Sequence, residues 1–368
     1  MSGTMLAARL YGPKDIRVEE IGVPEISKNE ILVQVRNGFI CGTDVRMYMN
    51  GHPSASPDKP LIIGHEGAGL ITAIGANVRR YSEGMRVAVA PNMGCGVCDY
   101  CVSGLSHHCQ ELWALGVNID GFFGEYIKVP KEAVRQGNVA VIPDNLSFEE
   151  ASLAEPLSCV LNAYEKSRIG LGDNVLIIGA GPIGIMHAKL ARLGGAAKVF
   201  INDVSKTRLE QCRAFDPTFV TIGSEELKET VMAETRNRGL DVCITACPAP
   251  QAQQTALELM AVNGRVSFFG GLPKDKEVVG LNSNLIHYRQ LEVSGTTRQS
   301  LIQYRKTLEL IASGLFDVTG LVTATLPLSR FEQALDSAAS ATGLKTAITF
   351  EMYLIRYGQQ NVNEEQAI

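Results

Sequence analysis

A short apolar run, Val175-Leu176-Ile177-Ile178, leads without a spacer into Gly179-Ala180-Gly181-Pro182-Ile183-Gly184, and Ile185, Met186, Ala188, Leu190 and Leu193 follow at spacings that share one helical face. Strand, glycine turn and helix in that order leave little choice of fold, because the unit is one step of a parallel sheet with crossover helices. Gly179 allows the tight turn and Gly181 lets a pyrophosphate approach the backbone. Gly184 lets the helix pack close to the strand, so that the helix start at Pro182 and Ile183 offers its free N–H groups to phosphates. Glycine turns of this kind also occur without a nucleotide, so the neighbourhood decides. Asp203 closes the next strand, 24 positions after Gly179. A carboxylate there accepts hydrogen bonds from the adenosine ribose hydroxyls and repels a 2′-phosphate, which favours NAD over NADP. Arg208 reads equally as a cofactor contact and as a solvated helix arginine.

Strand-like runs recur at 199–201, 242–245, 266–269 and 291–293, separated by stretches long enough for helices, and this alternation predicts a parallel sheet with right-handed crossovers. Asn263-Gly264 is read as the join between a helix over 251–262 and the strand after it. The first 150 residues have a different texture. Short alternating runs such as Ile31, Val33 and Val35 stand between Gly, Pro and Asn turn signals, which predicts a β-rich domain. A chain of 368 residues exceeds what one core usually organises. The expected division is a β-rich domain over 1–155, a dinucleotide domain over 156–297, a return to the first domain over 298–350 and a polar tail over 351–368.

The formal net charge of −5 and the absence of any Lys/Arg run leave no electrostatic footprint for a nucleic-acid partner. Residues 1–10 lack a basic region followed by an apolar one, and no stretch approaches 18 consecutive apolar residues. No membrane partner and a cytoplasmic location are therefore expected. Nine cysteines, four of them between 95 and 109, suit a reducing compartment and metal ligation better than a disulfide framework.

Cys95, Cys98, Cys101 and Cys109 form C-x2-C-x2-C-x7-C with Gly94, Gly96 and Gly104 among them. Four thiolates at such spacings can close a tetrahedron around one ion, and a closed all-sulfur shell suits structural zinc. The bacterial iron–sulfur run has a shorter last gap and a following proline, both missing here. His107 and His108 lie inside this loop and read as exposed residues. A second constellation is scattered: Cys41 in Cys41-Gly42-Thr43-Asp44, His65 and Glu66 after Gly64, and Glu155 within Leu153-Ala154-Glu155-Pro156-Leu157. A cysteine or histidine alone is more often a core residue than a ligand. A carboxylate among apolar neighbours is harder to dismiss, since a metal is one of the few partners that offsets its burial.

Gly64-His65-Glu66-Gly67-Ala68-Gly69, continuing to Gly75 and Val78, resembles the zinc signature of the medium-chain, zinc-containing alcohol dehydrogenase family. The cysteine loop, the Cys-Gly-Thr-Asp segment and the glycine fingerprint stand in that family's order, so the resemblance covers residues 5 to 350. It implies an α/β fold, a doubly wound Rossmann sheet plus a β-rich GroES-like catalytic domain, with two zinc ions per chain and NAD. It also implies Cys41 and His65 as ligands of a catalytic zinc. Glu155 falls at the third-ligand position and is similar to the sorbitol and polyol dehydrogenase branch, and Glu66 binds directly or through water. The implied reaction is hydride transfer from a polyol's secondary hydroxyl, with polyol phosphates, cyclitols, threonine-like amino alcohols and simple secondary alcohols as alternatives. A homo-oligomer, tetramer or dimer, is implied as well. The zinc-free quinone reductases of the same fold would lack the Cys41–His65 pair, and a zinc-binding interaction module would lack the dinucleotide fingerprint.

Charge counting refines the site. Zn²⁺ with one thiolate, one neutral imidazole and one carboxylate is formally neutral, and a further carboxylate makes it a poorer Lewis acid. Glu66 is therefore expected outside the shell when substrate is bound and inside it when the position is empty. Thr43 is placed to take the substrate's hydroxyl proton. Arg46 stands where the family usually has histidine, and an arginine cannot relay a proton. Protons then leave through ribose hydroxyls and water, or Arg46 recognises an anionic group such as a sugar phosphate. Arg298 resembles the polyol-branch arginine that holds substrate hydroxyls, and Phe122, with Phe123 and Trp113, is expected to line the pocket.

Overall fold

The strand Ile31–Ile40 is buried along almost its whole length, which marks it as the middle of a sheet rather than an edge. In the computed structural model, which describes residues 3–340 and 342–350, it pairs antiparallel with Glu66–Ile74, Tyr126–Val129 and Lys345–Thr349. The seven-stranded sheet runs outward from it through Arg86–Val89 to Val139–Val141 on one side and through Lys345–Thr349 to Val322–Pro327 on the other. A three-stranded sheet orders Asp15–Gly22, Thr4–Gly12 and Leu61–Ile62. Adjacent side chains enter different cores: Phe122 joins Val33, Ile71 and Val87, while Phe123 packs tilted against Phe331 with ring centroids 4.7 Å apart.

The second unit, residues 156–320, holds a six-stranded parallel sheet in the order Val220–Gly223, Lys198–Asp203, Asn174–Ile178, Leu240–Thr245, Met260–Phe268 and Glu292–Gly295. Numbered along the chain this is 3-2-1-4-5-6, the Rossmann order, whose switch point lies at the carboxyl end of the first strand, where the glycine turn sits. The alternation in the sequence located five of these strands. It passed over Val220–Gly223, a four-residue edge strand with only partly buried neighbours. Asn263-Gly264 also has a different role from the one expected. The helix ends earlier, at Glu258, and the chain is already extended from Met260. Asn263, with φ 61°, and Gly264 then form an irregularity inside the strand, where the register with Leu240–Thr245 shifts.

The return to the first unit begins at Leu321 rather than at 298. The helix Leu301–Ala312 is the reason. Ser300 caps it, accepting the Gln303 N–H, and Gln303 Nε2 and Lys306 Nζ donate to Glu165 at 2.9 and 2.8 Å. These bonds tie it to Ala154–Ser167 and keep 298–320 with the second unit. The polar tail over 351–368 lies outside the described residues, among which no helix is long and apolar enough to cross a membrane.

His187, in the helix Pro182–Leu193 that follows the fingerprint, is buried with neither ring nitrogen partnered among the described residues. Its ring meets Phe269 edge-on at 4.7 Å, and burial pushes its pKa from 6.5 down to about 3. The unfolded chain binds a proton near pH 6.5 and the folded chain only near 3. Stability is therefore fully present above pH 6.5 and is lost as the pH falls below it, by about 3 kcal/mol between pH 7 and 4.5. Replacing His187 with Leu is expected to remove this part of the pH dependence, read as the difference in denaturation midpoint between the two pH values. An unchanged difference would show that other groups cause it.

Candidate metal centres and dinucleotide site

The strand Ile31–Ile40 delivers the chain to Cys41, which stands at the start of the helix Gly42–Asn50. Asp44 makes that start. Its Oδ2 accepts the Cys41 N–H at 2.8 Å, and its own N–H donates to the Cys41 carbonyl at 3.0 Å. Its other oxygen lies 3.4 Å from His65 Nδ1. One fully buried carboxylate thus orients both the cysteine and the histidine, the arrangement that second partners of metal ligands usually provide.

His65 and Glu66 enter at the head of Glu66–Ile74, and Glu66 pairs with Phe39 in register, which brings them beside Cys41. The ligand atoms of Cys41, His65 and Glu66 all lie within 4.8 Å of one another. Glu66 is wholly buried. Its Oε2 accepts from Lys345 Nζ at 2.5 Å, while Oε1 has no partner among the described residues. Burial alone would push the His65 imidazole down, but the facing Asp44 carboxylate and Cys41 thiolate outweigh it and hold His65 well above its ordinary value. A thiolate, an imidazole and an orphaned carboxylate oxygen, gathered in a buried and anion-rich spot, are the donor set of a divalent cation such as zinc.

Glu155 is not brought into this group. It sits in the first turn of Ala154–Ser167, where the positive end of the helix dipole favours its carboxylate. Its charge is one of those that hold the Lys345 pKa up. Thr43 lies in the first turn of a helix, and its Oγ1 accepts from Arg46 Nη2 at 2.9 Å. The Arg46 guanidinium is exposed.

The four thiols of Cys95, Cys98, Cys101 and Cys109 also lie within 4.8 Å of one another. The Cys95 N–H donates to Cys109 Sγ at 3.3 Å. A Cβ on Gly94 would stand 2.4 Å from Cys101 Sγ, so only glycine lets the loop fold this closely over the sulfurs. The backbone N–H groups of Val97 and Cys98 hold the Cys95 thiol down at about 7, whereas burial pushes Cys101 up to about 12. Four sulfurs and no exit suit a closed structural site for zinc. His107 is buried rather than exposed, its ring 4.2 Å from that of His108.

At the glycine turn the three glycines have separate reasons. Gly179 adopts φ 117°, a conformation L side chains rarely take. A Cβ on Gly184 would lie 1.8 Å from the Gly179 carbonyl oxygen, so close helix packing forbids one. Gly181, by contrast, has only the Arg208 guanidinium within 4 Å of such a Cβ. The protein leaves that space open at the start of Pro182–Leu193, where free N–H groups point outward. Asp203 accepts from Ala180 N–H at 2.7 Å and Ser205 N–H at 2.8 Å, and Arg208 Nη1 stands 4.0 Å from it.

The expected substrate residues fare differently. Phe122 is fully buried in the core with Val33, Ile71 and Val87. Phe123 is likewise core, while Trp113 is exposed. Arg298 is exposed in the second unit with a left-handed φ of 56°, and its carbonyl accepts from Asn162 Nδ2. Two residues that the sequence reading did not single out, Asp44 and Lys345, touch the cluster directly. Asp44 was detectable as the acidic residue three positions after a helix start. Lys345 had no local signal.

Residues 27–142 match the model of the alcohol dehydrogenase GroES-like domain, and residues 182–313 match that of the zinc-binding dehydrogenases. Sorbitol dehydrogenase of Bacillus subtilis (strain 168) is 34% identical over 91% of this chain and 93% of its own length. L-threonine 3-dehydrogenase of Serratia proteamaculans (strain 568) is 32% identical over 94% and 99%. Among solved structures, a Sinorhizobium meliloti 1021 protein described as a zinc-binding dehydrogenase and bound to NADP superposes with a TM-score of 0.85 at 28% identity, covering 94% of this chain and 99% of that one.

Proposed function

The chain belongs to the zinc-containing alcohol dehydrogenase family, oxidoreductases acting on CH–OH groups of small molecules, and from that premise we propose that it oxidises a secondary hydroxyl of a polyol with NAD. The observation that carries the reading is the Cys41–His65–Glu66 group, whose Glu66 Oε1 has no partner among the described residues. Zinc bound there would acidify a coordinated hydroxyl as it acidifies water, from a pKa of 15.7 to about 7. The chain's own residues do the rest. Asp44 fixes the ligands, and the Thr43 hydroxyl accepts the substrate proton. Arg46 donates to Thr43 and has no acceptor of its own, so a proton leaving Thr43 goes to cofactor hydroxyls or water.

In this reading each chain carries two zinc ions, one at Cys41 and His65 with Glu66 or Glu155 completing the site, the other on Cys95, Cys98, Cys101 and Cys109. Gly179, Gly181, Pro182, Ile183 and Gly184 receive the pyrophosphate. Asp203 receives the adenosine ribose and selects NAD, with Arg208 beside it. The enzyme works in the cytoplasm as a homo-oligomer.

The 34% identity to sorbitol dehydrogenase and the presence of Glu155 support a polyol. The 32% identity to L-threonine 3-dehydrogenase supports an amino alcohol as the second reading. Measuring kcat/KM for polyols, their phosphates and threonine, each with NAD and NADP, is expected to rank a free polyol with NAD first. A threonine rate above every polyol would overturn the substrate. In the same panel, Arg46→His is expected to leave the ratio of polyol to polyol phosphate unchanged if Arg46 only supports Thr43, whereas a shift of about tenfold or more would reveal phosphate recognition.

A further inference from the structure

His187 stands one turn after Ile183 in the helix Pro182–Leu193, which starts at the glycine fingerprint. It is 1% exposed, and neither ring nitrogen has a partner among the described residues. A shape-matched apolar side chain would avoid that cost, so core packing alone does not explain an imidazole here. The ring it meets is that of Phe269, edge-on, with the planes at 85° and the centroids 4.7 Å apart. Phe269 follows the strand Met260–Phe268 at its carboxyl end and is only partly buried. Its backbone is pinned. The N–H groups of Phe269 and Gly270 both donate to the Thr245 carbonyl, at 3.2 and 2.8 Å. A Cβ on Gly270 would lie 2.5 Å from the Cys247 carbonyl oxygen, so this turn presses closely on the end of the neighbouring strand. The direction of the Phe269 ring is left to side-chain packing, and the edge of His187 meets it there.

The order of the sheet decides which end of a dinucleotide comes to this turn. In a doubly wound sheet the crevice opens at the carboxyl ends where the strand order reverses, and each half of the sheet takes one mononucleotide. Asp203 ends a strand of the first half, on the adenosine side, so Phe269, just past the end of the fifth strand, belongs to the nicotinamide half. We propose that His187 is a positioning residue for the nicotinamide end of the cofactor, which acts by holding the Phe269 ring in the wall of that half of the crevice. The inference rests on the dinucleotide reading of the fingerprint. His187 is closed off from solvent, so its effect reaches the cofactor through Phe269. Burial holds its pKa at about 3, and the neutral ring adds no charge to the crevice.

The test compares two ligands that share the adenosine and the pyrophosphate but differ in the nicotinamide. NADH is titrated by fluorescence and ADP-ribose by calorimetry, both on the full zinc-loaded chain. His187→Leu is expected to weaken NADH about 3–10-fold, the scale of one edge-on aromatic contact, and to leave ADP-ribose unchanged. Phe269→Leu should show the same split. The His187→Leu/Phe269→Leu double variant should bind NADH no more weakly than Phe269→Leu alone, because the first residue acts through the second. Equal weakening of both ligands by His187→Leu would place its effect at the helix start and overturn the proposal. So would unchanged NADH binding in His187→Leu, or losses that add in the double variant. A wild-type protein that binds neither ligand would overturn the dinucleotide reading itself.

Discussion

Replacing His65 with Ala is expected to lower kcat/KM by at least about 10⁴-fold, since it removes the imidazole on which the Lewis acid depends. The zinc content should fall from two ions per chain to one. The remaining ligands do not compensate. Cys41 keeps its place because its N–H is bound by Asp44, but Glu66 is shared with Lys345. The four-cysteine lobe is built on a separate loop and should hold its ion, so the variant remains folded. Metal analysis beside steady-state kinetics checks the prediction. Near-normal turnover with one zinc per chain would mean that the chemistry lies elsewhere.

The glycine turn permits a second large effect with an internal control. Adding one methyl at Gly184 places it 1.8 Å from the Gly179 carbonyl oxygen, and a backbone atom cannot retreat cheaply. Gly184→Ala is expected to displace the helix start and weaken NADH binding at least about 100-fold, on the order of 3 kcal/mol from several misplaced N–H···phosphate bonds. Gly181→Ala is different. Its backbone angles, φ −74° and ψ −177°, suit any residue, and no atom but the Arg208 guanidinium stands within 4 Å. Its melting temperature should change little, within about 1 kcal/mol of stability, while NADH binding still falls because the methyl occupies the pyrophosphate's space. Fluorescence titration and thermal melts separate the two. Normal binding by Gly181→Ala would show that the pyrophosphate does not lie there.

The contrast between these glycines explains what the sequence could reveal. Constraints that are local in the chain were legible: the strand-turn-helix at Val175–Leu193, the cysteine spacings, and the five strands with continuous apolar runs. Features set by tertiary pairing were not. Val220–Gly223 is a strand because it adds to the edge at Phe200–Asp203, not because of its own pattern. Phe122 and Phe123 are adjacent and aromatic, yet which core each enters depends on the sheets that receive them. The same limit governs the site. Cys41, His65 and Glu66 were found because each stands in a recognisable local context, whereas Lys345 belongs to the cluster only through the pairing of Thr346 with Ile40, 306 positions apart along the chain.

The proposed chemistry depends on Cys41 and His65 holding a zinc ion. A crystal of the zinc-loaded protein measured on both sides of the zinc absorption edge reads this directly. An anomalous peak is predicted about 2.3 Å from Cys41 Sγ and about 2.0–2.1 Å from a His65 ring nitrogen, beside a second peak among Cys95, Cys98, Cys101 and Cys109. A peak at the four cysteines with none between Cys41 and His65 would show that this pair holds no catalytic zinc.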